Sequence, residues 1–433
     1  MRWRFPTFVA VHDVVVVGAG PAGAMAGLTA AKLGLRCVVV DKANFPRVKP
    51  CGGALTPRIV DAWPWVEPLA TVRSTKGFIY GPKEGDVLGN ETTDRALAYF
   101  CRRVEFDAGL VEHAKDAGVE FREGEHVKGV EERDDRVIVK LSGGGGSLSG
   151  RFCFAADGVN SVVRGSTPLR QHWRQEDRAL VFVSEVEVGS EAVESLYTDR
   201  FVSHMHFRFG GTNGYGWIFP KREHVNVGFG ALDPKAPASA LRRHFFEYVA
   251  FCQKAGLLPE VSPGKGGERQ AGSSLDSPSP WFLPMRGPPE KFATARTFCL
   301  GDAAGFVHPM TGEGILYAMW SGQLAAEAVA GRSVELVDGS AEAAAEGEGT
   351  PSTRYAEACE TAFAKELRQL AGMQRWVGRA IGLVIRIGRR DPDLVDMLDQ
   401  LLTGVVPLSE LKWKVARRVI GGVLRGRWRA KKE

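Results

Sequence analysis

The residue types able to do chemistry gather in a few short stretches well separated along the chain. Gly18, Gly20 and Gly23 stand in G-x-G-x-x-G spacing, with Asp41 eighteen residues beyond the last glycine. In such a pattern the first glycine permits a tight turn, the second lets backbone approach a pyrophosphate, and the third lets a helix pack closely on a strand. A carboxylate at that later position can hold a ribose hydroxyl. A second stretch, AADGVNSVVR from Ala155 to Arg164, joins the acid Asp157 to a tight-turn glycine, Gly158, with Arg164 able to meet phosphate or Asp157. A third, CLGDAAGFVHPMTGEGI, carries Gly301 and Asp302, an acceptor for a sugar-like hydroxyl, and then Gly312 and Gly314 ahead of a helix start that suits a developing anion. His308, beside Pro309, reads as a structural or ligand-contacting residue ahead of a proton donor. Cys51 sits next to Gly52 and Gly53, where a thiol can come near a flat ligand; a small buried cysteine at a tight turn is the equal reading.

These residues need elements to hold them. Val14–Val17 is uniformly apolar, as a strand buried on both faces of a parallel sheet should be. A helix is expected over 24–33 and a second strand over 37–40, ending at Asp41. Strand, glycines, helix, strand and acid in this order specify a dinucleotide site far better than the glycines alone. The segment 45–58 holds two prolines and two glycines before Leu55 and reads as an irregular loop. Residues 61–91 read as short strands broken by proline. A helix is expected from Arg103, with Phe106, Leu110, Val111 and Ala114 on one face. Strands follow over 119–121 and 127–130, and a hairpin pairs 137–141 with 151–155 across the glycine run 143–146. Residues 180–232 alternate in the β manner, with Tyr215, Trp217 and Phe219 on one strand face, where they form either core or the wall of an apolar pocket. Helices are expected over 241–257, 315–330, 355–390 and 393–402. Residues 264–280 read as loop, and 332–353, rich in Ala, Glu, Gly and Ser, as a flexible insertion.

At 433 residues, 44% hydrophobic and 25% charged, the chain has room for two or three domains of ordinary globular composition. Seven scattered cysteines fit neither a disulfide framework nor a zinc site, so a reducing, cytoplasmic setting is expected and no metal. The first eleven residues lack the apolar core of a signal peptide, and no run of apolar residues is long enough to span a bilayer. Formal charge is +5 overall. Residues 408–433 hold nine Lys or Arg against two acids, a net +7 that leaves about −2 for everything else. Leu408, Leu411, Val415, Val419 and Val423 recur there at helical spacing, with Trp413 and Trp428 as interface anchors. Peripheral contact with the inner face of a membrane and a helix packed on the substrate domain both account for this pattern. The basic run has no nucleic-acid recognition module around it.

The three motifs together, GAGPAG with Asp41, AADGVNSVVR and CLGDAAGFVHPMTGEGI, resemble the FAD-binding set of the para-hydroxybenzoate hydroxylase class of flavoproteins. PRVKPCGGALTPR (Pro46–Arg58) and YGWIFPK through VNVG (Tyr215–Gly228) are similar to the two signatures of the geranylgeranyl reductase family, whose members reduce carbon–carbon double bonds of polyisoprenoid chains. The resemblance implies an α/β fold: a Rossmann-type FAD-binding domain (1–75, 101–170 and 291–330), an inserted antiparallel β-sheet substrate domain (76–100 and 171–290), a linker or insertion (331–353) and a C-terminal helical region with a basic tail (354–433). It implies FAD held by Gly18, Gly20, Pro21, Ala22, Gly23, Asp41, Lys42, Arg47, Cys51, Gly52, Gly53, Arg103, Asp157, Gly158, Arg164, Gly301, Asp302, Pro309, Gly312, Gly314 and Ile315. Within that set Asp41 holds the adenosine ribose, Arg103 the phosphates and Asp302 the ribitol, while Gly312–Gly314 lie by the pyrimidine end of the flavin. Cys51 lies by the reactive face as catalytic residue. Tyr215, Trp217, Phe219 and Pro220 line the isoprenoid site.

The implied reaction needs a hydride and a proton delivered to an isolated alkene in a dry cleft, since no neighbouring carbonyl absorbs charge. Burying one isoprene unit contributes on the order of 4 kcal/mol, at about 0.8 per carbon. With no second G-x-G-x-x-G, the electron donor is either NAD(P)H visiting the flavin or a reduced ferredoxin-like protein. Two other functions stand beside this one. A flavin monooxygenase or halogenase would use oxygen on the reduced flavin, although the paired-tryptophan motif associated with halogenases is missing from the Tyr215 strand. A non-catalytic flavin-binding electron-transfer protein would turn over no prenyl compound.

Overall fold

The computed structural model describes residues 12–143, 146–169, 173–233, 235–260, 272, 274–332, 334–335, 342–343, 349–403, 406 and 408–429. The N-terminal eleven residues, most of the loop expected over 264–280 and most of the insertion expected over 332–353 lie outside them.

The chain opens with β1 (His12–Val17), whose valines from Val14 onward are buried, then α1 (Pro21–Lys32) and β2 (Cys37–Val40). The helix starts three residues earlier than its apolar pattern suggested, because Pro21 at its first turn has a φ preset for helix and no N–H to lose. A stretch expected to be irregular contains a short strand, β3 (Ala54–Leu55), and a helical turn, α2 (Pro57–Ala62), the latter again opened by proline. Strands β4 (Val72–Ser74), β5 (Lys76–Tyr80), β6 (Val87–Glu91) and β7 (Ala98–Phe100) follow, then α3 (Arg103–Asp116), with Phe106, Leu110, Val111 and Ala114 buried.

Next come β8 (Glu120–Arg122), β9 (Val127–Glu132), β10 (Val137–Leu141) and the nine-residue β11 (Ser147–Ala155). The hairpin expected between 137–141 and 151–155 is tighter than that. Val137 pairs with Gly150 and Lys140 with Ser147. The second half of β11 instead lies parallel to β1, from Val14 opposite Phe152 to Val17 opposite Ala155. The apolar half, Phe152–Ala155, is drawn into the buried parallel sheet, leaving the polar half for the hairpin.

A single helical turn, α4 (Val162–Gly165), precedes β12 (Arg178–Glu187), α5 (Ser190–Tyr197), β13 (Ser203–Phe207), β14 (Gly214–Pro220), β15 (His224–Ala231), α6 (Ala238–Lys254) and β16 (Ser279–Pro284). Helix α5 lies inside a stretch read as continuous β; Val193 and Tyr197, four apart, form its buried face. The chain ends with β17 (Thr297–Cys299), α7 (Ile315–Ala330), α8 (Pro351–Cys359), α9 (Lys365–Gly388), α10 (Pro392–Thr403) and α11 (Leu408–Arg429). Helix α8 begins at Pro351, so the expected insertion gives way to helix before residue 353.

Two seven-stranded sheets carry the molecule. One runs β8-β2-β1-β11-β10-β9, with β17 also paired to β11. Its β8, β2, β1, β11 and β17 are mutually parallel, and α1, α3 and α7 pack around it. The other runs β16-β12-β15-β14-β13-β5-β6 and is antiparallel except for the parallel pair β5–β13. A three-stranded sheet, β3-β7-β4, pairs with neither and packs against the second through Val72 and Phe100. Helix α11 packs on α9 and α10 rather than on the second seven-stranded sheet, with Leu411 buried and Arg418 paired to Asp391 and Asp393.

Helices α1 and α7 cross in intimate contact. A methyl group at Gly322 would stand 2.3 Å from the Ala22 carbonyl oxygen and 2.9 Å from the Ala26 nitrogen, both backbone atoms that cannot swing aside. Gly322→Ala is therefore expected to lower stability by about 1–3 kcal/mol, the range for overpacking a close contact, measured by urea denaturation.

Candidate active site

The glycine loop after β1 is built as a cradle. Gly18 has φ +101°, and a methyl there would strike the Ala156 carbonyl oxygen at 2.4 Å. A methyl at Gly23 would lie 1.7 Å from the Gly18 oxygen, whereas Gly20 has open space bounded by Arg47 Nη2 at 3.5 Å. Asp41 ties the loop down: its two carboxylate oxygens accept the N–H of Ala19 at 2.7 Å and of Ala43 at 2.8 Å. Lys42 is exposed at the rim. Pro21 and Ala22 are buried in the first turn of α1, and Ala22 lies under Gly301, 3.5 Å from where a methyl would stand.

Beside this loop two guanidinium groups share one carboxylate. Arg103 grips Asp107 with Nε–Oδ1 at 2.7 Å and Nη2–Oδ2 at 2.8 Å, while Arg47 Nη2 reaches the same Oδ2 at 3.0 Å. Burial opposes the charge on Arg103, but the Asp107 contacts override it and hold the guanidinium charged. Two cations against one anion leave net positive charge at the glycine loop, and Arg47 Nη1 is buried without a partner. That is the arrangement a pyrophosphate would complete. Arg47 is thus the cation facing the cradle, and Arg103, expected to hold phosphate, is spent largely on Asp107. Sequence reasoning missed Asp107, although Arg and Asp four apart at a helix start were the available signal.

Asp157 and Arg164 serve a neighbouring turn. Asp157 Oδ2 accepts from the backbone of Val162 at 2.8 Å and Val163 at 3.1 Å, capping α4, and burial pushes its carboxyl up. Gly158 makes the turn with φ +78°. The Arg164 guanidinium lies 4.1 Å from the Trp173 ring and donates to the Ala303 carbonyl at 3.4 Å.

Asp302 and the loop before α7 close the other side. Burial pushes the Asp302 carboxyl up, with Lys49 and Arg103 pulling it back. Lys49, also missed, sits 3.7 Å from the Trp281 ring, and burial brings its ammonium down to about 8, partly offset by Asp302. The loop is held from three directions: the Tyr215 hydroxyl donates to the Thr311 carbonyl, Gln374 Nε2 on α9 donates to the Pro309 carbonyl at 2.6 Å, and Thr56 donates to Glu313. Ile315 is the first, buried residue of α7. His308 Nδ1 accepts the N–H groups of Met310 and Thr311, each at 3.3 Å, so the structural reading of this residue fits the geometry.

All seven cysteines lie among the described residues; six are buried, and Cys51 is half-buried. The Cys51 loop rests on the aromatic face of β14. A methyl at Gly52 would sit 3.1 Å from the Phe219 ring and 3.2 Å from Trp217 Nε1. Gly53, φ +68°, donates its N–H to Cys51 Sγ at 3.4 Å. Trp217 Nε1 donates to Asn226 Oδ1 at 2.9 Å, and Asn226 Nδ2 donates to the Cys51 carbonyl at 2.9 Å and to Glu185 at 2.8 Å. Glu185 in turn pairs with fully buried Lys221 at 2.6 Å. Phe219 stacks on Phe100, centroids 4.9 Å apart, and Pro220 closes the strand, also buried. Trp217 and Phe219 are thus both core residues lying under the Cys51 loop, while Tyr215 borders the Thr311 loop. Lys221 and Asn226 fall within the YGWIFPK to VNVG signature, yet sequence reasoning gives no role to them or to Glu185, because only folding brings these three positions together under the loop.

The open space at Gly20, the unpartnered Arg47 atom and the acids at 41 and 302 fit FAD. Arg47→Met removes a charge-assisted contact of about 1.5–3 kcal/mol, so the dissociation constant for FAD is expected to rise roughly ten- to a hundredfold in a flavin-fluorescence titration.

Residues 11–226 match the family described as FAD binding domain. The digeranylgeranylglycerophospholipid reductase of Methanocaldococcus jannaschii is 33% identical over 338 residues, covering 77% of this chain and 80% of that protein. The menaquinone reductase of Mycobacterium tuberculosis is 33% identical over 337 residues, covering 74% and 77%. Among solved structures, a geranylgeranyl bacteriochlorophyll reductase-like protein from Thermoplasma acidophilum superposes with TM-score 0.71 at 20% identity over 94% of this chain and 99% of that one. The flavin-dependent brominase Bmp2 shares the fold at TM-score 0.63 and 19% identity over 97% and 100%. Motifs, fold and relatives agree: the chain belongs to the geranylgeranyl reductase family and is an FAD-dependent oxidoreductase of the para-hydroxybenzoate hydroxylase class.

Proposed function

We propose that this protein saturates carbon–carbon double bonds of a polyisoprenoid chain carried on a lipid or quinone. The observation that carries the reading is the contact between the Cys51–Gly52 loop and the Trp217–Phe219 face of β14, fastened by Asn226. It packs the segment that carries the half-buried Cys51 against an apolar aromatic strand face. An oily chain along that face would bring an alkene between Cys51 and the cofactor. The names of the relatives, which speak of a prenylated phospholipid and of menaquinone, support the same substrate class.

Gly18, Gly20, Arg47, Asp41 and Asp302 would hold FAD, which supplies hydride when reduced. Cys51 keeps a proton at Sγ for the second alkene carbon. Asn226 fixes the carbonyl of Cys51, so the thiol meets the substrate from one direction. Tyr215 and Trp217 exclude water from the cleft, and Tyr215 also anchors the Thr311 loop through its hydroxyl. Burial holds the Tyr215 phenol well above its ordinary value, so it stays neutral in that role.

Contact with a membrane surface would bring such a substrate within reach. No helix among the described residues is long and apolar enough to cross a bilayer. On α11, Leu411 faces inward, while Trp413 is 68% and Ile420 59% exposed, with Lys414 and Arg417 exposed on the same helix. An exposed aromatic, an exposed aliphatic and basic residues suit an anionic interface, at roughly 1 kcal/mol per cation near the surface.

With reduced flavin supplied chemically, the wild type is expected to add two hydrogens to a prenyl lipid or prenyl quinone, detected by mass spectrometry; no mass change in any prenyl substrate overturns the reading. As general acids contribute about 10²- to 10⁴-fold, Cys51→Ala is expected to lose at least a hundredfold in rate with FAD still bound. The wild type should float with anionic vesicles and W413A/K414E/R417E should not.

A further inference from the structure

Glu313 lies between Gly312 and Gly314 in the loop before α7, and both neighbours face the cleft. A methyl at Gly312 would stand 3.5 Å from the Tyr215 hydroxyl, and one at Gly314 would stand 3.3 Å from Asp302 Oδ1. The Thr56 hydroxyl, on the segment that carries Cys51, donates to Glu313 Oε1 at 2.6 Å. Glu313 Oε2 is buried with no partner. This one hydrogen bond joins the thiol-bearing segment to the loop that starts α7.

The surroundings raise this carboxyl into the neutral range. Burial raises it, the hydrogen bonds from Thr56 and the charge of Arg58 bring it only part of the way back, and the balance is pushed up to about 7. His308, 2% exposed, is held down to about 4 by burial and by Arg58, so it is neutral and adds no cation. With Nδ1 occupied as an acceptor, its proton sits on Nε2, which is also buried without a partner. Tyr317, on the next turn of α7, is pushed far up by burial and stays neutral; Glu313, Arg58 and Glu366 are the charges that face it. Arg58 is therefore the cation nearest this group, and its guanidinium also lies 5.3 Å from the Trp320 ring.

We propose that Glu313 is a proton reserve for the reduction, a buried carboxyl that restores through the Thr56 hydroxyl the proton that Cys51 gives to substrate. This rests on the alkene-reductase reading above. In each turnover a hydride and a proton add across the double bond: the π bond breaks, two C–H bonds form, and the alkene gains the two electrons that the reduced flavin loses. The Cys51 S–H bond breaks in that step. The thiolate is reprotonated as the Glu313 O–H bond breaks, and the carboxylate recovers its proton from solvent. Glu313 acts through Thr56 and Cys51, so it is a positioning and proton-holding residue, not one that touches substrate.

The test uses the FAD-loaded protein and two readouts. Infrared difference spectroscopy across neutral pH is expected to reveal a protonated-carboxyl stretch that disappears as pH rises through about 7. The band should be missing from E313Q. In Thr56→Val it should titrate at higher pH, because the lost hydrogen bond favoured the ionised form. In turnover, the wild-type rate should fall as pH rises through the same range. E313Q should be roughly a hundredfold slower with FAD bound, and should lose that pH dependence, while E313D recovers part of the rate. Absence of the band, or an E313Q enzyme with wild-type rate and pH profile, overturns the proposal. A wild type inert toward every prenyl substrate overturns the reductase reading as well, so the two failures are distinguishable.

Discussion

The close crossing of α1 and α7 is the constraint on which the site depends. Gly322 lets the two backbones meet, and Gly301 fits between Ala22 and Ala318 at the same crossing. Each helix begins at a glycine-rich loop, one at Gly20 and one at Gly314. Fixing the crossing brings both N-termini to one cleft, so two sets of unsatisfied N–H groups and two positive dipole ends converge there. A cofactor carrying phosphates at one end and an electron-rich ring at the other matches that field. Neither loop could be placed by its own sequence if the helices were free to slide.

The second sheet is fastened to this cleft by polar groups. Asn226 bridges Trp217, the Cys51 carbonyl and Glu185, and Glu185 neutralises Lys221, which has no exposure. Buried ion pairs are weak evidence for stability, because desolvation offsets much of the attraction. Here the network has a different consequence. It fixes the height of the Cys51 loop above the aromatic strand, a spacing that apolar contacts alone would leave adjustable. Tyr215 and Gln374 do the same for the opposite loop, from the second sheet and from α9 respectively.

The charged groups divide by purpose. Around the glycine loop Arg47, Arg103 and Asp107 leave a surplus of positive charge, suited to an anion. Around the α7 loop burial works the other way: Asp302 and Glu313 are pushed toward their acid forms and Lys49 toward its neutral one. One end of the cleft thus carries surplus positive charge, while buried groups at the other are shifted toward their neutral forms. The second condition suits the oily substrate proposed above.

The local motifs were legible in the chain itself. Gly18 and Gly20 between β1 and α1, Gly23 in the first turn of α1, and the helix starting after Gly312 and Gly314 are all local patterns that short-range spacing reveals. The family resemblance rested on the same short-range patterns. What needed the fold were partnerships between distant residues. Asp107 on α3 draws in Arg47 from the loop after β2, and Thr56 meets Glu313 across more than half of the chain. The division of β11 between a hairpin and the parallel sheet, and the helix α5 inside an apparently β-like run, turned on what each apolar face could be buried against. Periodicity along a chain records which residues want burial, but the neighbour that buries them is chosen only when the sheets and helices assemble.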